Sequence, residues 1–224
     1  MTLLSFSPPW FYGYDVVLEI GFALTALIIA FFAFKIFHIT DQRPVWLFGI
    51  SFLLIAISYV IQSLLNLLIV TQTDTFVCNA LKLPYISLFG TYGIFVHMLF
   101  MTAGLVLLTY MSFKIEKPRV LWVLLSVALI AIFSSVSPLH VFFLLSTTFL
   151  AIILWHFISN YRQTRQMATL LVVLAFAFLL FGSVHFLISV DHELYYAIGH
   201  VLELFAYMLI LANLYVVLSH GKKT

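Results

Sequence analysis

Residues 194–219 read LYYAIGHVLELFAYMLILANLYVVLS. As a helix rising ~1.5 Å per residue, this stretch is long enough to cross about 30 Å of hydrocarbon. Its polar members are not scattered. Glu193, Tyr196, His200, Glu203 and Tyr207 follow i, i+3, i+7, i+10 and i+14, which is one stripe on a helix, and the remaining faces are mostly Leu, Ile, Val, Phe, Ala and Met. An imidazole and a carboxylate one turn apart are costly against lipid tails, so the stripe must turn toward other helices. The chain therefore has to supply a bundle around it.

The rest of the sequence supplies six further apolar stretches, at about 14–37, 45–70, 88–113, 119–136, 139–160 and 167–189. The 224 residues are 64% hydrophobic and only 8% charged, which excludes an ordinary soluble domain. Pro44, Pro118 and Pro138 fall in or beside short connections, and short connections force antiparallel neighbours. The expected fold is all-α: a single domain, 1–224, forming an up-and-down bundle of seven transmembrane helices in the cell membrane, with the lipid bilayer as its first partner. The first stretch lacks a basic leader and a small-residue cleavage site, so it reads as a retained span. A formal charge of +2 gives no reason to expect nucleic acid. Cys78 is the only cysteine, so neither an internal disulfide nor a thiolate metal cluster is available.

Orientation follows from the basic residues. Lys35, Arg43, Lys114, Lys117, Arg119, Arg162, Arg165, Lys222 and Lys223 fall on one side of the alternating spans, and Lys82 alone on the other. The positive-inside rule then puts the N-terminus outside and the C-terminus in the cytoplasm. Trp10, Phe11, Tyr12 and Tyr14 at one interface, with Trp46 and Trp122 at the other, fit two aromatic belts.

With the spans folded up and down, the intramembrane polar groups gather in the outer third. Span one brings Asp15, placed to mark the helix start, and Glu19 one turn deeper. Span two brings Ser51, Ser58, Gln62 and Asn66 on one face. Span three brings His97 between Gly93 and Gly104, with Met101 on the same stripe; the glycines leave room either for a flat cofactor or for a closely packed helix. Span six brings His185 on a stripe whose small members, Ala175, Gly182 and Ser189, invite close approach of another helix. His38, His156, His192 and His220 read as interfacial or solvated, and His140 as peripheral. The stretch 71–87 is long for so economical a chain and suggests a lid or a partner surface.

Three imidazoles and one or two carboxylates could form a shell for a divalent transition metal, zinc or copper, with His97, His185, His200 and Glu203 as ligands. Glu19, Gln62, Asn66, Tyr196 and Tyr207 would support them. Such a shell suits either a binding protein or a metal-dependent intramembrane hydrolase, in which Glu203 or Glu19 would take the proton. H-E-x-x-H is absent, and so is the pattern of the multi-pass ceramidase-like hydrolases. The same imidazoles could hold a b-type haem for electron transfer or redox sensing, since no C-x-x-C-H is present. Without a cofactor, His and Glu could sense pH or form a proton relay, although no acids line the inner half to continue a path.

The stretches LEIGFALTALIIAFFAFKIF (18–37), PVWLFGISFLLIAISYVIQSLLNLL (44–68) and GHVLELFAYMLILANLYVVL (199–218) resemble helices of prokaryotic seven-helix membrane sensor domains. That resemblance implies a sensor whose output lies in a kinase or cyclase module. With the sequence ending at Thr224, the output would come from a separate signalling or redox partner. Retinal proteins share the helix number, but the last span has no lysine for a Schiff base. The leading expectation is a membrane sensor or binding protein with a polar pocket open to the outside.

Overall fold

The structure is a computed structural model that describes residues 8–11, 13–70, 86–113, 117–190 and 192–220. Cys78, Lys82, Lys114, Asp191, Lys222, Lys223 and most of the 71–87 stretch lie outside the described residues. Among the described residues a short 3₁₀ turn, Pro9–Phe11, precedes seven helices: α1 Tyr14–Thr40, α2 Arg43–Val70, α3 Ile86–Ser112, α4 Pro118–Phe133, α5 Pro138–Thr164, α6 Met167–Ser189 and α7 Leu194–His220. No strand occurs among the described residues. Six of the helices are long and apolar enough to cross a membrane. The chain is a multi-pass membrane protein.

The exception is α4. Its 16 residues span ~24 Å, short of a typical hydrocarbon core. The apolar run continues to Val136, but serines end the helix early. Ser134 returns both its backbone N–H and its hydroxyl to the Ile130 carbonyl, and the Ser135 N–H turns to Ile132. Pro138 then opens α5 at its first turn, where a missing N–H costs nothing. Two other helices stop by a shared device. Asp41 and Arg165 adopt left-handed conformations at φ 51° and 50°, and their N–H groups bond the Phe37 and Tyr161 carbonyls.

Helix neighbours define a closed ring in the order α1, α2, α3, α5, α6, α7 and back to α1, with α4 set against α3 and α5 on the outside. The peripheral place of α4 fits its burial, since only Ala128 and Ile132 are deeply covered. Trp122, Val123, Val127 and Ile130 face outward, as lipid-facing residues should. The ring interior is one continuous apolar cluster that includes Phe22, Ala26, Ile29, Phe52, Ile55, Ala56, Val106, Ile153, Ala175 and Phe176.

Small residues set how closely the helices approach. A Cβ at Gly104 would stand 2.7 Å from Ile55 Cγ1 and 2.9 Å from the Ser51 carbonyl oxygen. A Cβ at Gly182 would stand 3.1 Å from the Gly199 carbonyl oxygen, so α6 and α7 cross glycine on glycine. The Ala175, Gly182 and Ser189 stripe is buried throughout. Tight packing of this kind drives helix association where lipid offers no hydrophobic contrast.

This predicts opposite outcomes at two glycines. Gly104→Leu should push α3 off α2 and lower stability by about 1–3 kcal/mol or more, as overpacking does. Gly21→Leu, where nothing lies within 4 Å of a Cβ, should leave the melting temperature of detergent-purified protein nearly unchanged.

Candidate functional site

The N-terminal ends of α1 and α7 and the C-terminal end of α2 lie at the same end of the bundle, because consecutive helices alternate in direction. Glu19 lies five residues into α1, and His200 six residues into α7. At ~1.5 Å per residue both sit roughly 8–9 Å below the helix starts. The described basic residues, Lys35, Arg43, Lys117, Arg119, Arg162 and Arg165, lie at the opposite end.

Glu19 is fully buried, and His200 is 1% exposed. His200 Nε2 lies 3.5 Å from Glu19 Oε1, and its Nδ1 lies 3.8 Å from Glu203 Oε2. The imidazole therefore stands between two carboxylates, one on each ring nitrogen. Asn66 Nδ2 donates to Glu19 Oε1 at 2.8 Å, the Tyr196 hydroxyl donates to the same oxygen at 3.5 Å, and Gln62 Nε2 donates to that hydroxyl at 3.4 Å. The Tyr59 hydroxyl donates to Glu203 Oε1 at 3.0 Å. Each carboxylate is thus held by one oxygen and leaves the other free. Glu19 Oε2, Glu203 Oε2 and both His200 nitrogens are buried without a hydrogen-bond partner.

Aromatic rings enclose the imidazole. The ring centroids of Tyr196, Phe186, Phe11 and Phe22 lie 4.5, 5.1, 5.9 and 6.1 Å from it. Tyr207 stacks on Phe22 at 4.9 Å and meets Tyr59 edge-on at 5.9 Å, closing the deep end. Phe11 comes from the 3₁₀ turn that folds back across the start of α1. Gly13 permits that reversal with φ +88°, a conformation that L side chains rarely adopt. Asp15 fixes it, since its Oδ1 accepts the Gly13 and Val16 N–H groups at 2.9 and 2.8 Å. Asp15 is therefore a helix-start residue.

The three-imidazole shell expected from the sequence is not formed. His97 is on α3, across the ring from α7, and turns to α2, where its Nδ1 lies 2.8 Å from the Ser58 hydroxyl. Its ring packs against Phe142 at 5.7 Å. The space beside Gly93 and Gly104 is taken by Leu65 and Ile55 of α2, so these glycines serve helix packing. His185 is on α6, next to α7, but Phe186 takes the inward position. One residue is about 100° of helix rotation, and His185 is carried away to donate from Nδ1 to its own helix's Phe181 carbonyl at 2.7 Å. Its ring lies 5.7 Å from Tyr195. His192 is exposed, in keeping with a solvated turn.

Among the described residues no three His, Cys, Asp or Glu side chains are grouped to hold a metal ion. The reason is geometric at His200. The two nitrogens of an imidazole point away from each other, so an ion on Nε2 could recruit Glu19 but not Glu203, and an ion on Nδ1 the reverse. Of the expected site residues, Glu19, Gln62, Asn66, Tyr196, His200, Glu203 and Tyr207 meet; His97 and His185 stand apart. Tyr59 and Phe11 were not anticipated. Tyr59 was legible in principle, three residues before Gln62 and seven before Asn66 on one face. Phe11 was hidden because it reaches the site through a turn.

No protein-family model, curated protein or solved structure matches this chain.

Phe11 covers His200, so Phe11→Ala should expose the imidazole to a histidine-acylating reagent such as diethyl pyrocarbonate. Mass spectrometry should find His200 unmodified in the wild type and modified in the variant, with exposed His192 modified in both. Equal protection of His200 would show that Phe11 is not its cover.

Proposed function

We propose that this membrane protein is a sensor or binding protein, and that its ligand is a small cationic species taken up beside His200, against Glu19 on its Nε2 side or Glu203 on its Nδ1 side. The observation that carries this reading is the set of four unpartnered polar atoms, belonging to three ionisable side chains, in one buried place. Buried polar atoms are nearly always hydrogen-bonded, and a cluster of exceptions calls for an occupant. The sign of the charge supports a cation. Glu19, Glu203 and Asp15 surround one imidazole, and no Lys or Arg among the described residues lies at this end of the bundle. The surrounding aromatic faces also favour positive charge over negative.

Binding fits better than turnover. The donor set holds no nucleophile activated by a base, and the carboxylates are held by Asn66, Tyr196 and Tyr59 in fixed positions. The basic residues at the far end support an orientation with the site toward the exterior and the C-terminus in the cytoplasm. A change at the site would then pass through α1, α2 and α7 to the inner face, where a separate partner reads it.

The test is thermal unfolding of purified protein with sodium, ammonium or zinc ions, and across pH 8 to about 5, where histidine titrates. At least one of these cations, the proton included, should shift the wild-type melting temperature. Saturation to 100 times Kd corresponds to about 2.7 kcal/mol. Glu19→Gln combined with Glu203→Gln keeps the acceptors for Asn66 and Tyr59 but removes both charges, and should abolish the response. An identical response in the double variant, or none in the wild type, overturns the reading.

A further inference from the structure

We propose that His200 is the moving part of a blind-ended proton relay, passing a proton between Glu19 on its Nε2 side and Glu203 on its Nδ1 side. The inference rests on the reading of this site as one that takes up a cation, and it names that cation as the proton. Three observations support it.

The first is alignment. Glu19 Oε1 lies 3.5 Å from His200 Nε2 and Glu203 Oε2 lies 3.8 Å from its Nδ1, so each carboxylate addresses its own ring nitrogen. Both gaps are longer than a well-formed hydrogen bond, and a shift of about 0.5–1 Å by the ring or a carboxylate closes either one. Glu203 Oε2 and both His200 nitrogens make no hydrogen bond, whereas Glu19 Oε1 also accepts from Asn66 at 2.8 Å and Tyr196 at 3.5 Å, so no existing bond to His200 need break first. An imidazole is the one side chain that accepts at one nitrogen while donating from the other.

The second is the gradient of polarity. Toward the end of the bundle the polar series continues through Asn66, Tyr196 and half-buried Gln62. In the other direction it reaches Glu203 and Tyr59 and meets Phe22, Tyr207 and the apolar cluster of Ala26, Ile29, Phe52, Ile55 and Ala56. Among the described residues, the hydrogen-bonded side chains below His200 run from Glu203 to Tyr59 and Tyr207 and end against that apolar cluster. A proton entering from the bundle end returns the way it came, as a sensor requires and a transporter does not.

The third is isolation. Among the described residues, the titratable groups facing His200 are Asp15 and Glu19 from α1 and Tyr196 and Glu203 from α7, with Tyr207 one shell away behind Phe22. Tyr59 of α2 acts through Glu203, whereas among the described residues α6 and the 3₁₀ turn present Phe186 and Phe11. Among the described residues no other group is hydrogen-bonded to either His200 nitrogen.

The step balances. The Glu19 carboxyl O–H breaks as an N–H forms at His200 Nε2; the Nδ1–H breaks as an O–H forms at Glu203 Oε2. One proton has moved from Glu19 to Glu203, and reversal restores the original imidazole tautomer.

The experiment is time-resolved infrared spectroscopy of the full chain after a jump from pH 8 to about 5. The two carboxyl bands are assigned by their loss in Glu19→Gln and Glu203→Gln. In the wild type both bands should rise. In His200→Gln the Glu203 band should rise about tenfold more slowly or worse, while the Glu19 band keeps its rate; general acid–base groups commonly contribute more than that. Imidazole added to His200→Gly should restore the Glu203 rate. Wild-type protein in D₂O supplies a readout independent of any variant: Glu203 should slow more than Glu19, since its proton arrives through additional transfers. Equal slowing, or a Glu203 band as fast in His200→Gln as in wild type, overturns the relay but leaves the cation site standing. Absence of both bands in the wild type overturns the relay, and a flat thermal response to every cation then removes the site reading as well.

Discussion

An imidazole fixed between two carboxylates, inside a bundle built around a large apolar cluster, is the constraint around which this structure is organised. Ionisable groups in hydrocarbon cost several kcal/mol each unless they are paired, hydrogen-bonded or neutralised. Glu19, His200 and Glu203 can be accommodated only if their helices adjoin, and α1 lies beside both α2 and α7. Asn66, Tyr196 and Tyr59 each satisfy one carboxylate oxygen, which holds the acids in place without neutralising the site. Glu203 Oε2 and both His200 nitrogens are left without a hydrogen bond, with Glu19 Oε1 3.5 Å from Nε2.

Closing the ring is a packing problem that the small residues solve. Gly104 lets α3 rest on the backbone of α2, and Gly182 meets Gly199 where α6 crosses α7. Gly199 precedes His200 in the chain, and a Cβ there would stand 2.7 Å from the Phe186 ring, the same ring that covers the imidazole. The close approach of α6 and the enclosure of His200 are therefore one feature seen from two sides. Helix α4 takes no part in the ring, and its reduced length and outward apolar face are consistent with that position.

The fold was legible because apolar length is a strong signal. Seven runs of hydrophobic residues, separated by Pro-bearing connections, leave few alternatives to an antiparallel bundle. The end of α4 was misplaced by three residues because Ser134 and Ser135 can close a helix from within an apolar run. The site was half legible. Periodicity placed His200, Glu203, Tyr196 and Tyr207 on one face of α7, and depth brought Glu19, Gln62 and Asn66 to the same level. Depth says nothing of azimuth around the ring, and that is why His97 and His185 were grouped with His200. His97 lies on the far helix, and His185 is one residue out of register with Phe186. Gly93 and Gly104 mark a close approach in either reading, and sequence alone does not say whether a helix or a cofactor fills the gap.

The central claim is that Glu19 and Glu203 address opposite nitrogens of one buried imidazole. Nitrogen-15 NMR of histidine-labelled protein in lipid nanodiscs tests this directly, because the His200 Nε2 and Nδ1 resonances report their neighbours separately. Glu19→Gln should shift chiefly Nε2, and Glu203→Gln chiefly Nδ1. Both nitrogens staying unmoved by either substitution would contradict the account.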